Sequence, residues 1–163
     1  KGDKNYFKLP KPIFKKGGCN LSFAGLKTAV LKISKNLKNK KEKYNLAASF
    51  QKTINKILIK KTEVAMNQFI KEVSSQSNKV FVVAGGVAAN ETIRKNLKEL
   101  SKKMNFISIF PSKEFCGDNA AMIAWAGIQR YKKKLFSKKN ETVRSRWPLD
   151  KSAPFLKGPG LKL

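Results

Sequence analysis

The stretch that most constrains what this chain can fold into is Val80-Phe81-Val82-Val83-Ala84-Gly85-Gly86-Val87-Ala88-Ala89-Asn90, an apolar run that stops at two glycines and resumes with helix-forming residues. Residues 80–84 are β-branched and aromatic without polar alternation, the pattern of a strand covered on both faces, as in a parallel or mixed sheet. Two glycines after such a strand mark a strand-to-helix turn. Lacking Cβ atoms, they accept positive φ and let a ligand lie against backbone N–H groups, with the positive end of the next helix dipole beside it. The arrangement suits a phosphate, and a plain tight turn would use the same residues.

The downstream pattern gives this turn a partner. A helix is expected from about residue 89 to 103 with Ile93, Leu97 and Leu100 inward, followed by a strand over 106–110 ended by Pro111. A strand-helix-strand order predicts two parallel strands joined by a right-handed crossover. Both then end on one edge, so the Gly85-Gly86 turn and the loop Pro111-Ser112-Lys113-Glu114-Phe115-Cys116-Gly117-Asp118-Asn119 open into a shared space. A helix follows through Ala120 to Ile128, and its small residues predict close packing on a neighbour. Asp118 stands where a helix cap belongs. A capping carboxylate and a metal ligand are both open readings of it.

Upstream, residues 1–20 carry Pro10, Pro12, Gly17 and Gly18 and predict no regular element. A helix is expected over about 22–37 with Ser22 as its cap, then a charged turn over 38–43. Residues 44–73 place Leu46, Phe50, Ile54, Ile57, Leu58, Ala65, Phe69, Ile70 and Val73 at spacings of three and four, the mark of a long amphipathic helix. Its Lys52, Lys56, Lys60 and Lys61 mostly fall on the opposite face, where a solvated surface is the default expectation.

The chain has 163 residues with 41% apolar content, enough for one domain with a core. It opens on Lys1 rather than Met and carries no leader pattern, so it reads as a piece of a longer protein. No uncharged apolar run approaches membrane-span length, which predicts a soluble protein. A formal charge of +26, from 36 Lys and Arg against 10 Asp and Glu, favours a polyanionic partner. Lysines spread over nearly every helix are equally the solvated faces of a lysine-rich chain. Cys19 and Cys116 form no C-x-x-C pair, which points to a reducing compartment rather than a disulfide or zinc framework. The chain contains no histidine, so it cannot by itself build a histidine triad or a histidine metal cage. The basic tail includes Arg144-Ser145-Arg146-Trp147-Pro148-Leu149, where a tryptophan flanked by arginines can stack on nucleic acid or tuck into the domain surface.

Four segments taken together, Leu21-Ser22-Phe23-Ala24-Gly25-Leu26-Lys27-Thr28, Val83-Ala84-Gly85-Gly86-Val87-Ala88-Ala89-Asn90, Phe115-Cys116-Gly117-Asp118-Asn119-Ala120-Ala121-Met122-Ile123-Ala124 and Arg144-Ser145-Arg146-Trp147-Pro148-Leu149, resemble the TsaD proteins. These are the bacterial tRNA threonylcarbamoyladenosine transferases, formerly labelled O-sialoglycoprotein endopeptidases. The resemblance implies the C-terminal part of an actin-like, sugar-kinase-like (ASKHA) α/β fold, with helices on a small mixed sheet. Residues 1–20 would be an irregular segment continuing from a missing N-terminal lobe, 21–135 the α/β lobe and 136–163 a basic tail.

By the same resemblance, Gly85, Gly86 and Asn90 would contact the nucleotide of threonylcarbamoyl-AMP. Asp118 would be one ligand of a single metal ion, iron or zinc, whose other ligands include a His-x-x-x-His pair in the absent half. The implied reaction is threonylcarbamoyl transfer to the exocyclic amine of an adenosine beside the anticodon of tRNA, in the cytoplasm, with small partner proteins of the same pathway and no membrane. Lys27, Arg144 and Arg146 are the expected tRNA contacts, and no residue is marked as a catalytic base. The sequence departs from the family at Gly117, where Thr is frequent, and at Ala24, where Ser is frequent. An actin-like ATPase or small-molecule kinase would use the same glycine turn, and a non-catalytic tRNA-binding module would use the same charge.

Overall fold

The computed structural model describes residues 1–73 and 78–136. The chain forms two compact units, Lys1–Asp118 and Asn119–Leu163. The first is built on three helices and two strands: α1 (Ala24–Ser34), α2 (Lys40–Glu72), β1 (Val80–Val82), α3 (Glu91–Lys103) and β2 (Ile107–Ile109). It is a helix-rich α/β arrangement in which β1 and β2 pair in parallel, with Val80 opposite Ile107 and Val82 opposite Ile109. The expected strand-helix-strand unit is therefore present, and Ile93, Leu97 and Leu100 are all buried on the inner stripe of α3.

The sheet is less covered than its sequence pattern predicts. Regular pairing covers three residues in each strand. Val82 is 60% exposed and Ile107 62%, whereas Phe81 packs toward Met66, Leu100 and Phe106. A strand alternates its side chains between two faces. Among the described residues one face meets α2 and α3, and the face bearing Val80, Val82, Ile107 and Ile109 is open.

The 33-residue α2 is the scaffold. It starts four residues earlier than the apolar periodicity indicates, because Asn39 caps it: Asn39 Oδ1 accepts from the Glu42 N–H at 2.9 Å while Glu42 Oε2 accepts from Lys38 N–H at 2.8 Å. This reciprocal exchange satisfies donors that the helix start leaves free and draws the charged run into the helix. By contrast, α1 begins at Ala24 after Phe23 with no side-chain cap, so Ser22 does not have the capping role expected of it. One core joins Leu9, Leu26, Leu46 and Ile57, and the other joins Met66, Leu100 and Phe106.

Residues 1–23 form no helix or strand, as expected, yet they are fastened along α2 by polar groups. Asp3 N–H donates to Asn45 Oδ1 at 2.8 Å and Phe7 N–H donates to Ser49 Oγ at 3.2 Å. An irregular segment must find partners for its backbone when it is buried, and α2 supplies them from the side-chain amide and hydroxyl on the face it turns inward. Lys61 belongs to the same device and corrects the expectation of a solvated lysine row. It is only 3% exposed, and its ammonium donates to Lys16 O at 2.7 Å and Gly18 O at 3.0 Å.

In the second unit, the described regular element is α4 (Ala120–Lys132), capped by Asn119, whose Oδ1 accepts from Met122 N–H at 2.9 Å. None of its residues is buried, in contrast to the close packing that its small residues predict. No described helix is long and apolar enough to cross a membrane.

Candidate functional site

The chain leaves β1 through Gly85, whose φ of 87° and ψ of 169° lie in a region open to glycine and costly for any residue with a Cβ. A single 3-10 turn over Gly86–Ala89 follows, with Ala88 N–H donating to Gly85 O at 2.9 Å. The expected helix therefore starts at Glu91 rather than directly from the glycines, and Asn90 is its cap: Asn90 Oδ1 accepts from Ile93 N–H at 3.1 Å. Capping occupies the carbonyl oxygen of Asn90 and leaves its amide NH2 as a donor for a ligand.

Gly86 is informative for a different reason. It has no positive φ, and a Cβ added there would meet no atom within 4 Å. Neither backbone conformation nor packing within the described residues calls for glycine, so the small residue leaves open space in front of the turn. A molecule lying on the backbone would use that space.

The second loop leaves β2 through Pro111 and forms a short 3-10 turn over Lys113–Phe115 before Cys116 and Asp118. Chain connectivity predicts that the two loops share one edge; the structure shows what joins them, and it is Arg94, a residue that no sequence pattern singles out. From the first turn of α3, Arg94 Nε donates to Ala88 O in the glycine turn. Its Nη2 donates to Pro111 O in the second loop and to Cys116 Sγ, the latter at 3.1 Å. The Cys116 side chain is buried between Arg94 and the Ser112 carbonyl, at 3.5 Å from the latter. A second link is the ion pair of Lys113 Nζ with Glu91 Oε1. The Lys113 hydrogen bond, aided by its positive charge, lowers the Glu91 pKa below its ordinary value. Its place four residues after the helix cap lets the long side chain lean back over the turn that precedes the helix.

Asp118 lies at the end of this second loop, exposed to solvent. It is not the cap of α4, as Asn119 holds that position. Its carboxylate is thus free of the capping role and offers one hard oxygen ligand. No group of three or more His, Cys, Asp and Glu side chains comes together among the described residues, so they do not by themselves enclose a metal ion. Lys27 is exposed on α1. Arg144 and Arg146 lie outside the described residues. A basic concavity of about 660 Å³, which the sequence does not reveal, is lined by Lys1, Lys4, Lys52 and Lys56 together with Tyr44 and Asn96.

Residues 1–125 match the family model described as TsaD: tRNA N6-adenosine threonylcarbamoyltransferase. The chain is 60% identical over 163 residues to a Pelagibacter ubique (strain HTCC1062) protein named tRNA N6-adenosine threonylcarbamoyltransferase, covering 100% of this chain and 45% of the relative. A protein of the same name from Rickettsia rickettsii (strain Sheila Smith) is 43% identical over 151 residues, covering 91% of this chain and 44% of the relative. One from Dinoroseobacter shibae is 38% identical over 167 residues, covering 99% and 45% respectively. The chain spans about half the length of the curated relatives it matches.

Proposed function

The chain belongs to the tRNA N6-adenosine threonylcarbamoyltransferase family, and on that premise we propose that its loop edge holds the nucleotide part of threonylcarbamoyl-AMP during transfer to tRNA. The observation that carries the reading is the joining of the open glycine turn to the Asp118 loop at one end of a parallel strand pair. In open α/β sheets, ligands bind outside the carboxyl ends of the strands, where these two loops lie. The phosphate of the adenylate lies against the backbone at Gly85 and Gly86, and the free amide of Asn90 donates to the nucleotide.

In the reaction, the exocyclic amine of the adenosine beside the anticodon attacks the carbamoyl carbon, the bond from that carbon to the phosphate oxygen breaks, and AMP departs. Fixing the adenylate against the hydrogen-bonded turn supplies orientation. The base that receives the amine proton is not assigned to a residue of this chain.

The reading extends to an actin-like, sugar-kinase-like lobe over residues 21–135, flanked by the irregular segment 1–20 and the basic tail 136–163. It places the work in the cytoplasm, with small partner proteins of the same pathway. Lys27, Arg144 and Arg146 serve as tRNA phosphate contacts, and the basic concavity around Lys52 and Lys56 supports a polyanionic partner. Asp118 serves as one ligand of a single iron or zinc ion. With no histidine in the sequence, the His-x-x-x-His pair that the resemblance implies would come from outside it.

The test is mass spectrometry of tRNA nucleosides after reaction with a full-length transferase containing this chain. Threonylcarbamoyladenosine is expected from the parent protein, and Asp118→Ala is expected to lower its formation about a thousand-fold, ~4 kcal/mol of barrier. Full activity of Asp118→Ala would remove the metal role. A phosphorylated small molecule with no modified nucleoside would establish the kinase reading instead.

A further inference from the structure

Arg94 is oddly placed for a residue that merely decorates a helix. It sits in the first turn of α3, where the macrodipole disfavours a cation. It forms no ion pair among the described residues. What compensates the guanidinium is backbone: the carbonyls of Ala88 and Pro111, from two loops that are 23 positions apart in the chain, with the Cys116 sulfur at 3.1 Å. Its guanidinium carbon lies 5.3 Å from the centre of the Phe110 ring, the last aromatic before the second loop. The planar guanidinium presents its donors in a fixed fork, so two carbonyls that accept from two of its nitrogens are held at a set distance and angle. A lysine in the same place is a single point charge on a flexible stem and cannot do this.

We propose that Arg94 is a positioning residue that locks the Gly86–Ala89 turn to the Pro111–Cys116 loop, so that the adenylate-holding backbone and the loop bearing Asp118 keep one fixed separation. The proposal rests on the reading of this edge as the adenylate site. Arg94 acts through the turn and does not touch the reacting atoms. Without it, α3 remains capped by Asn90 and the strands remain paired, but the turn samples several positions relative to the second loop. The apparent affinity for a ligand falls with the fraction of molecules in the competent arrangement, so a drop of that fraction to a tenth raises KM for the adenylate about ten-fold.

Two measurements on a full-length transferase containing this chain test the lock. The first compares steady-state kinetics of the parent, Arg94→Ala and Arg94→Lys. KM for threonylcarbamoyl-AMP is expected to rise about ten-fold in both variants with KM for tRNA unchanged, and added methylguanidinium is expected to restore Arg94→Ala but not Arg94→Lys. A merely structural arginine would lower the folded fraction, reducing apparent kcat with both KM values unmoved, and that result overturns the proposal.

The second needs no activity. Amide hydrogen exchange in Arg94→Ala is expected to accelerate at residues 86–90 and at residues 112–117 together, and methylguanidinium is expected to slow both. Acceleration in neither segment, or in one alone, overturns the lock. A parent protein that forms no modified nucleoside overturns the adenylate reading, while the exchange experiment still decides whether Arg94 couples the two loops.

Discussion

Lys61 and Arg94 are two cations that each hold two backbone carbonyls, and the contrast between them separates what stabilises this chain from what arranges its site. The Lys61 ammonium gathers the carbonyls of Lys16 and Gly18, two positions apart in one irregular segment, and is itself buried. The Arg94 guanidinium reaches Ala88 and Pro111, which belong to separate loops on either side of α3 and β2. A point charge can tighten one turn against a helix, whereas a planar fork can set the relation between two turns. Positive charge in this chain, +26 overall, is therefore not one undifferentiated field for a polyanion. At least two of its cations face inward and serve the backbone.

The largest expected effect sharpens the structural side of the contrast. Lys61→Met keeps the stem but removes the buried ammonium that donates to the carbonyls of Lys16 and Gly18, at about 1.5–3 kcal/mol for each hydrogen bond to a charged donor. Urea denaturation is expected to show a loss of about 3 kcal/mol with no change in the adenylate KM. A KM that rose in parallel would erase the distinction between the two cations. Next comes Gly85→Ala, which forces a Cβ into a backbone region that is nearly exclusive to glycine at about 2 kcal/mol. Here stability and adenylate KM are both expected to worsen, because the strained residue opens the turn proposed to hold the adenylate.

Asn90→Ala removes the cap of α3 and costs about 1 kcal/mol. Asn90→Asp preserves the cap oxygen and so isolates the amide donor: thermal melting is expected to stay at the parent value while adenylate KM rises. If neither variant moved the adenylate KM, Asn90 would be a cap and nothing more. The smallest effect belongs to the exposed Glu91–Lys113 pair. Because the folded-state pKa of Glu91 is lowered, its contribution is complete above the ordinary glutamate value and fades as pH falls through the lowered one. Hydrogen exchange at residues 113–116, corrected for intrinsic pH dependence, is expected to quicken over that acidic window, and Glu91→Gln is expected to remove the pH dependence.

The strand-helix-strand unit was legible because its pattern is local: apolar runs of the right length, glycines and a proline at the boundaries, and Ile93, Leu97 and Leu100 at helical spacing. The parallel pairing followed from chain connectivity alone. The open sheet face was not legible, since continuous apolar residues predict cover on both sides and say nothing of whether the covering element lies within the same stretch of chain. Burial of Lys61, and of Asn45 and Ser49 along α2, was hidden because their partners are backbone groups more than 40 residues away. At the candidate site, Gly85, Gly86 and Asn90 were identified by type, and their conformations explain the first and third. The cap of α4 fell one residue later than expected, on Asn119, which changed the standing of Asp118. Arg94 escaped notice because nothing in its residue type distinguishes it from the many other cations; only the loop geometry does.

The central claim is that a ligand occupies the space in front of the glycine turn, and Gly86→Val in a full-length transferase tests it most directly. With no positive φ and no atom within 4 Å of an added Cβ, residue 86 has room for the start of a side chain, and stability is expected to stay within about 0.5 kcal/mol of the parent. The adenylate KM is expected to rise about a hundred-fold, as the added methyl groups stand where the phosphate lies and displace it from its backbone donors. Unchanged transfer kinetics in a Gly86→Val protein of parental stability would contradict the account, because it would mean that the turn is a turn and the nucleotide is held elsewhere.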